Sequence, residues 1–145
     1  MTTSDFETFL RSVYAEGRQW GTPEMLDEFY ARSDADLVFT RPPFPPVVGL
    51  EANRKDDEAM ANAFSDQKVH IEEIISCEDT VALRYIWEGD HTGVSPTLGI
   101  PPTGKHVETR GCMVFHLRDG KMVDIVDYLD LLTLLTQVGV IPAMS

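Results

Sequence analysis

One acidic side chain, Asp127, stands in the sequence where a carboxylate could do acid–base chemistry. It closes the second of two apolar strands, which read GCMVFHLRDGKMVDIVDYLD over residues 111–130. A three-residue loop, Arg118-Asp119-Gly120, with glycine as the left-handed residue, is typical of such hairpins. This turn pairs Gly111 with Asp127 and places the acid at the end of an apolar row on one face. The row comprises Gly111, Met113, Phe115, Val123, Ile125 and Asp127.

The chemistry expected of Asp127 depends on that facing. The charged form of a carboxylate is disfavoured in an apolar cavity, so Asp127 is a candidate general acid or base. The alternative is a hydrated acid at a frayed strand end. A two-residue loop would instead pair Asp127 with Cys112 and bring Val114 and His116 to its face.

The other residues capable of chemistry form no recognisable set. The four histidines, at positions 70, 91, 106 and 116, lack metal-ligand spacing, so no metal is expected. No nucleophile can be grouped with a histidine and an acid, and no glycine-rich phosphate loop follows a strand. His91 begins a stretch of turn-forming residues, 91–104, where it could lie at the mouth of a pocket.

Composition narrows the class of protein. A chain of 145 residues, 43% of them hydrophobic, suits one domain spanning 1–145. The net charge of −12, with no cluster of Lys or Arg, makes nucleic acids and anionic membranes unlikely partners. The start, MTTSDFE, is not a signal peptide, and no apolar run reaches bilayer length. Two cysteines make no disulfide framework, so we expect free thiols in the cytoplasm.

The elements that must position Asp127 are helices first and strands afterwards. Apolar spacing predicts helices over 5–16, from Thr22 onward and over 49–64. It predicts strands over 36–40, 68–77, 80–90, 105–117 and 121–129, then a short helix over 130–138. This segregation predicts an α+β fold, with three helices covering one face of a curved antiparallel or mixed sheet and enclosing a pocket.

For two hairpins, the sequence must also indicate which face packs on the core and which lies at the surface. A two-residue loop pairs Cys77 with Thr80 and Glu73 with Arg84, and it leaves open which face of the 68–90 hairpin looks into the core. The face opposite Glu73 holds His70, Glu72, Ile74, Leu83, Tyr85 and Trp87. The outer row of the last hairpin is too apolar to face water, so we expect a homodimer or larger homo-oligomer to cover it. That row comprises Cys112, Val114, His116, Met122, Val126 and Tyr128.

Four segments carry a resemblance to a known family. They are residues 80–93 (TVALRYIWEGDHTG), 100–107 (IPPTGKHV), 117–123 (LRDGKMV) and 127–142. In this order they are similar to the SnoaL-like polyketide cyclase and ester cyclase family of the nuclear transport factor 2-like superfamily, over about residues 36–142. The resemblance implies a cone-shaped fold, no metal or cofactor, and an intramolecular aldol condensation that closes a ring of a hydrophobic polyketide.

The resemblance also implies a site. It places the family's catalytic aspartate, a general acid and base, on Asp127. The histidine and glutamine of the family's cyclases correspond to Met113 and Gly111, which leaves Tyr14, Arg41 or His91 to support the acid. The expected substrate-binding residues are Met113, Phe115, Tyr14, Phe39, Arg41, Tyr85, Trp87 and His91.

The expected function is a small cofactor-free enzyme of polyketide or related secondary metabolism, a lyase or isomerase of the cyclase type. Its substrate is a hydrophobic carbonyl compound held in an enclosed pocket. The alternative is a ligand-binding or accessory protein, or a hydroxylase, isomerase or hydrolase relative, that retains the pocket.

Overall fold

The computed structural model describes residues 3–95 and 98–143. The helices are α1 (Thr3–Val13), α2 (Pro23–Tyr30), α3 (Leu50–Ala63) and α4 (Leu131–Gln137). The strands are β1 (Ser33–Thr40), β2 (Val47–Val48), β3 (Phe64–Cys77), β4 (Thr80–His91), β5 (His106–Arg118) and β6 (Lys121–Leu129). None of the helices in the described part of the chain is long and apolar enough to cross a membrane.

The six strands form one curved, unclosed sheet in the order β2-β1-β6-β5-β4-β3. Strand β1 runs parallel to β6, and every other neighbouring pair is antiparallel. Helices α1, α2 and α3 cover the face that carries the core, here called the inner face. The α+β fold with a curved mixed sheet and three N-terminal helices is therefore confirmed.

Local sequence explains where the shorter elements begin. The Thr22 hydroxyl accepts a hydrogen bond from the Met25 amide at 3.3 Å, and Pro23 occupies the first position of α2. The Asp130 carboxylate accepts the Thr133 amide at 3.1 Å and begins α4. The short edge strand β2, which sequence periodicity did not reveal, pairs with β1 directly after the proline-rich segment.

Aromatic side chains fill the space between the helices and the inner face. The Phe6 ring of α1 meets the Phe115 ring of β5 edge-on at 5.3 Å. The Trp20 ring packs against Tyr14 at 5.2 Å and edge-on against Phe29 at 5.3 Å. The interior of the cone is thus largely occupied by the protein's own rings.

The last hairpin adopts neither register considered from the sequence. The turn has two residues, so Arg118 pairs with Lys121, and a bulge then shifts the partners in β6. Asp127 consequently pairs with Met113, whereas the two turns had paired it with Gly111 or Cys112. The facing predicted by the three-residue loop is nevertheless correct, because the actual register differs from it by two residues, and side chains alternate with a period of two.

The bulge corrects two further assignments. Met122, placed on the outer row from the sequence, is fully buried, because it lies before the bulge and faces inward with Leu117. Val123, placed on the apolar row with Asp127 from the sequence, is the extra residue and is only partly buried. Ile125 and Phe115 of the same row lie on the inner face beyond the bulge and are fully buried.

A second bulge divides β3 in the same way. The pairings of Cys77 with Thr80 and of Glu73 with Arg84 are confirmed, but Ile71 pairs with Tyr85, so Glu72 is left over. His70 therefore pairs with Ile86 on the outer face. The predicted grouping of His70 and Glu72 with Tyr85 was wrong, because an unseen bulge reverses the facing of every residue before it.

Candidate functional site

Asp127 lies on the inner face of β6 with only 1% of its surface exposed. The Tyr85 hydroxyl donates a hydrogen bond to Oδ1 at 2.6 Å. The Arg41 guanidinium donates through Nε to Oδ2 at 2.8 Å. The buried carboxylate therefore has a hydrogen-bond donor on each oxygen, and one of these donors is a cation. This differs from the apolar cavity expected from the sequence, which would have disfavoured the charge.

Tyr85 reaches the acid because glycine occupies the position between them. Tyr85 of β4 pairs with Gly111 of β5, and Gly111 pairs with Leu129 of β6. A Cβ added at Gly111 would lie 2.6 Å from Tyr85 Cζ, well inside van der Waals contact. The resemblance implies a polar partner for Asp127 at position 111. The glycine found there instead makes room for the Tyr85 hydroxyl, which is the partner that Asp127 has in this structure.

Arg41 is positioned by the only parallel pairing in the sheet. It follows directly on β1, whose last residue, Thr40, is aligned with Val126 of β6. This brings the guanidinium beside Asp127. The same group lies over the Phe39 ring at 5.1 Å, and its side chain keeps 30% exposure. Arg41 is thus the point at which the buried acid is closest to solvent.

A second acid, Asp57 of α3, belongs to the same environment. The Tyr30 hydroxyl of α2 donates a hydrogen bond to Asp57 Oδ2. Burial raises the pKa of Asp57 to about 6, against the opposing effects of the Tyr30 hydrogen bond and the Arg41 charge. The charge of Arg41 is therefore shared between two carboxylates, and Asp57 exchanges its proton close to neutral pH.

Three tyrosines complete this set of polar groups. Burial, and then the nearby Asp57 and Asp127 charges, raise the pKa of Tyr14. Burial first and one adjacent carboxylate next also raise the pKa of Tyr30 and of Tyr85. All three hydroxyls therefore keep their protons at neutral pH, and those of Tyr30 and Tyr85 donate to the two carboxylates. We call the set the inner cluster: Tyr14, Tyr30, Arg41, Asp57, Tyr85 and Asp127.

The structure divides the residues proposed from the sequence into two groups. Tyr14, Arg41, Tyr85 and Asp127 belong to the inner cluster, Phe39 lies under Arg41, and Met113 is the cross-strand neighbour of Asp127. Phe115 packs against Phe6 in the core. Trp87 donates to Gln67 at 3.0 Å and packs on Phe64.

His91 belongs to the second group. Its ring stacks on Phe64 with 5.0 Å between centroids, and Nδ1 accepts the Thr103 amide at 3.2 Å. Of the three supports considered for Asp127, Arg41 makes the contact. The Asp127 charge helps to raise the pKa of Tyr14, and His91 contacts Phe64 and Thr103.

Sequence reasoning missed Asp57 and Tyr30. Neither residue was among the candidates named from the sequence. A signal was present, because Asp57 stands at helical spacing from Asn53 and Met60 on the side of α3 that faces the protein. An acid within the buried stripe of an amphipathic helix is the pattern to look for.

Two surface depressions of about 490 Å³ each are present. One lies beside α1 and is lined by Phe9 and Arg32 among others. The other lies on the outer side of the sheet, at Arg84, Cys112 and Tyr128. Asp127 lines neither of them.

Comparisons with known proteins agree on one family. A family model for SnoaL-like polyketide cyclases matches residues 8–138. A candidate SnoaL-like polyketide cyclase from Jannaschia sp. CCS1 is 25% identical with a TM-score of 0.82, covering 97% of this chain and 95% of its own. AclR from Streptomyces galilaeus, a candidate hydroxylase, is 26% identical with a TM-score of 0.80, covering 100% and 87%.

A third solved structure supports the fold alone. IdmH from Streptomyces antibioticus, a candidate polyketide cyclase, is 24% identical with a TM-score of 0.69, covering 94% of this chain and 97% of its own. The search of curated proteins found no match.

Proposed function

The chain belongs to the SnoaL-like polyketide cyclase family, and from this premise we propose that it closes a ring of a polyketide-like carbonyl compound by an intramolecular aldol reaction. The observation that carries the proposal is the buried Asp127 carboxylate, held by Tyr85 at 2.6 Å and Arg41 at 2.8 Å. Each carboxylate oxygen has a second lone pair, so Asp127 can still accept a proton from a substrate.

In the proposed reaction Asp127 removes a proton from a carbon between two carbonyl groups. The resulting enolate carbon attacks a second carbonyl of the same molecule, and a carbon–carbon bond forms as the carbonyl π bond becomes an alkoxide. Protonated Asp127 then returns its proton to the alkoxide oxygen, so the product is an isomer of the substrate. Asp127 thus acts first as a base and then as an acid.

The rest of the inner cluster supports these steps. Arg41 and the neutral Tyr85 hydroxyl lie where they can stabilise oxyanions that form next to Asp127. Met113 and Phe39 are the apolar residues beside them, which suits a hydrophobic ligand. Asp57, with its pKa raised to about 6 by burial, can relay a proton near neutral pH.

A second candidate is hydroxylation of a similar substrate. It is favoured by the similarity to AclR, which covers the whole of this chain. The inner cluster would then form and hold an enolate, and an external oxidant and reductant would supply the oxygen chemistry. The third possibility is a binding protein that holds the same kind of ligand without turning it over.

One assay separates the three. The purified protein is incubated with a panel of aromatic polyketide methyl esters that differ in the number of closed rings, and the products are separated and weighed by mass spectrometry. A new product of unchanged mass, or one that has lost only water, supports cyclisation. A product that has gained an oxygen supports hydroxylation. An unchanged compound that nevertheless raises the melting temperature supports binding alone and contradicts the proposed catalysis.

We also propose that a second copy of the chain covers the outer face of β5 and β6, giving a homodimer or larger homo-oligomer. Tyr128 there is 60% exposed, and Cys112, Val114 and Val126 beside it are only partly buried. A single apolar patch used by both copies suits an isologous interface. Sedimentation at micromolar concentration tests this, with Val126→Glu expected to give monomers. A monomeric wild-type protein would contradict it.

We further propose a cytoplasmic location, because Cys77 and Cys112 are free thiols. Fractionation of cells that carry the tagged protein tests this, and recovery outside the cytoplasm would contradict it.

A further inference from the structure

Two histidines and several carboxylates gather on the outer face of β3, β4 and β5, away from the inner cluster. Glu88 of β4 pairs directly with Glu108 of β5, and Asp90 pairs with His106 one step further along. His70 of β3 pairs with Ile86, also on the outer face, and reaches Glu88 diagonally. With Glu16, we call this set the outer cluster: Glu16, His70, Glu88, Asp90, His106 and Glu108.

The two histidines are arranged alike around one carboxylate. His70 is held through Nδ1 by Glu16 at 2.6 Å and presents Nε2 to Glu88 at 2.6 Å. His106 is held through Nδ1 by Asp90 at 2.7 Å and presents Nε2 to Glu88 at 3.4 Å. A carboxylate on one ring nitrogen, with the other nitrogen directed at a shared point, is how metal-binding histidines are oriented.

We propose that Glu88, His106 and Glu108 bind a divalent transition-metal ion of the zinc class. Their donor atoms lie within 4.8 Å of one another. Donors held about 2 Å from a tetrahedral ion lie about 3.3 Å apart, so the most distant of these side chains must close by up to about 1.5 Å. His106 and Glu108 are exposed and can make that movement.

Charge gives a reason for a cation at this place. Glu88 and Glu108 are directly opposed like charges, which destabilise a sheet. His70 and His106 offset part of this charge when they are protonated, and a bound divalent cation would offset it at a pH where they are neutral. The chain as a whole carries a net charge of −12. Lys68 of β3 pairs with Glu88 on the side away from Glu108. Its Nζ, however, lies 3.9 Å from the Asp66 carboxylate, with which it forms an ion pair.

The donor types favour zinc and its neighbours over magnesium or calcium. Mg²⁺ and Ca²⁺ prefer oxygen donors alone, whereas an imidazole combined with carboxylates suits Zn²⁺, Ni²⁺ or Cu²⁺. His70 Nε2, beside Glu88 Oε2, is the nearest further donor. No local motif announces the site, because its ligands come from adjacent strands and are brought together only by the register.

The proposal is tested by a calorimetric titration of the metal-stripped full-length protein with Zn²⁺. We expect saturable binding of one ion per chain, at least tenfold weaker in His106→Ala and in Glu88→Gln. Asp90→Asn should weaken binding by about 10- to 100-fold, because Asp90 only orients the imidazole. Mg²⁺ in excess should fail to displace the ion.

The control is His116→Ala. His116 lies on the same outer face and contacts Asp124 at 3.3 Å, so its variant should bind Zn²⁺ like the wild type. Circular dichroism checks that every variant folds, and Co²⁺ serves as a second probe through its visible absorption. Absence of saturable binding, or equal affinity in His106→Ala, would overturn the proposal. So would an equal loss in His116→Ala, which would indicate non-specific binding.

Discussion

The inner and outer clusters lie on opposite faces of the same sheet, and β4 contributes to both through Tyr85 and Glu88. Inside, Asp127 is 1% exposed, and its field reaches Tyr14 and Asp57 as well as its direct partners. Outside, the His106 side chain is 54% exposed, and water screens its ion pairs. The difference teaches that polar and charged groups are strongly coupled when they are buried and only weakly coupled when they are exposed.

The largest effect should come from Asp127→Asn. The amide is nearly isosteric and can still accept from Tyr85, but it cannot take a proton from the substrate at neutral pH. We expect turnover of the true substrate to fall by about 10²- to 10⁴-fold, with ligand binding retained. Steady-state kinetics with a thermal-melt check of folding measures this. An unchanged rate would contradict a catalytic role for the inner cluster.

Removing the cation from each face compares the clusters directly. Arg41→Met removes the cation and leaves the buried Asp127 with the Tyr85 hydrogen bond, and we expect a loss of about 3 kcal/mol in unfolding free energy. The matched control, Arg84→Met, removes an exposed arginine that pairs with Glu72 and Glu73 on the outer face. It should cost less than about 1 kcal/mol. Urea denaturation measures both, and equal losses would contradict the contrast drawn here.

The space at Gly111 gives a third test. An alanine there must push the Tyr85 ring away, so the hydroxyl should leave Asp127. We expect Gly111→Ala to lower turnover by about 10², as much as Tyr85→Phe, and to cost about 1–3 kcal/mol of stability from overpacking. Because both changes remove the same hydrogen bond, the double variant should be little slower than either single one. Additive losses in rate would show that Gly111 acts in another way.

Much of the fold could be predicted because periodicity and turn residues report local geometry. The helices and the long strands followed from spacing. The inward facing of Asp127 was predicted by one of the two turns considered, although the register itself was not. The bulges at Glu72 and Val123 could not be foreseen, because a bulge leaves no required residue in the sequence. For that reason Met122 and His70 were placed on the wrong faces.

The site was predicted less completely than the fold. Asp127 and Arg41 could be named, but their contact depends on the parallel pairing of β1 with β6, which joins residues 86 positions apart. Asp57 was not recognised, because it is one of many charged residues in α3, although it lies on the side of that helix that faces the protein. The outer cluster depends on strand register across β3, β4 and β5, and no spacing along the chain reveals it.

A smaller effect should appear in the pH dependence of stability. The pKa of Asp57 is raised by burial from 3.8 to about 6, so the folded state binds the proton more tightly than the unfolded state. Stability due to Asp57 is therefore present in acid and is lost as the pH rises through that window. Asp57→Asn should remove this fall, with a gain over the wild type of about 1–3 kcal/mol above pH 6. Unfolding curves at several pH values for both proteins measure it, and parallel curves would contradict the assignment.

The smallest effect belongs to the outer cluster and falls in a different pH window. The Asp90 hydrogen bond raises the pKa of His106 above its usual 6.5, and the Glu88 hydrogen bond does the same for His70. A raised histidine pKa contributes stability that is complete below 6.5 and is lost as the pH rises through the higher folded-state value. Because both rings are solvent-accessible, His106→Ala should remove less than about 1 kcal/mol of it. With metal chelated, the wild type and His106→Ala should therefore differ most in mild acid and converge in base, with His116→Ala as control. If His106→Ala lowered the unfolding free energy by more than Arg41→Met does, the outer cluster would be as strongly coupled as the inner one. That result would contradict the contrast between the two faces.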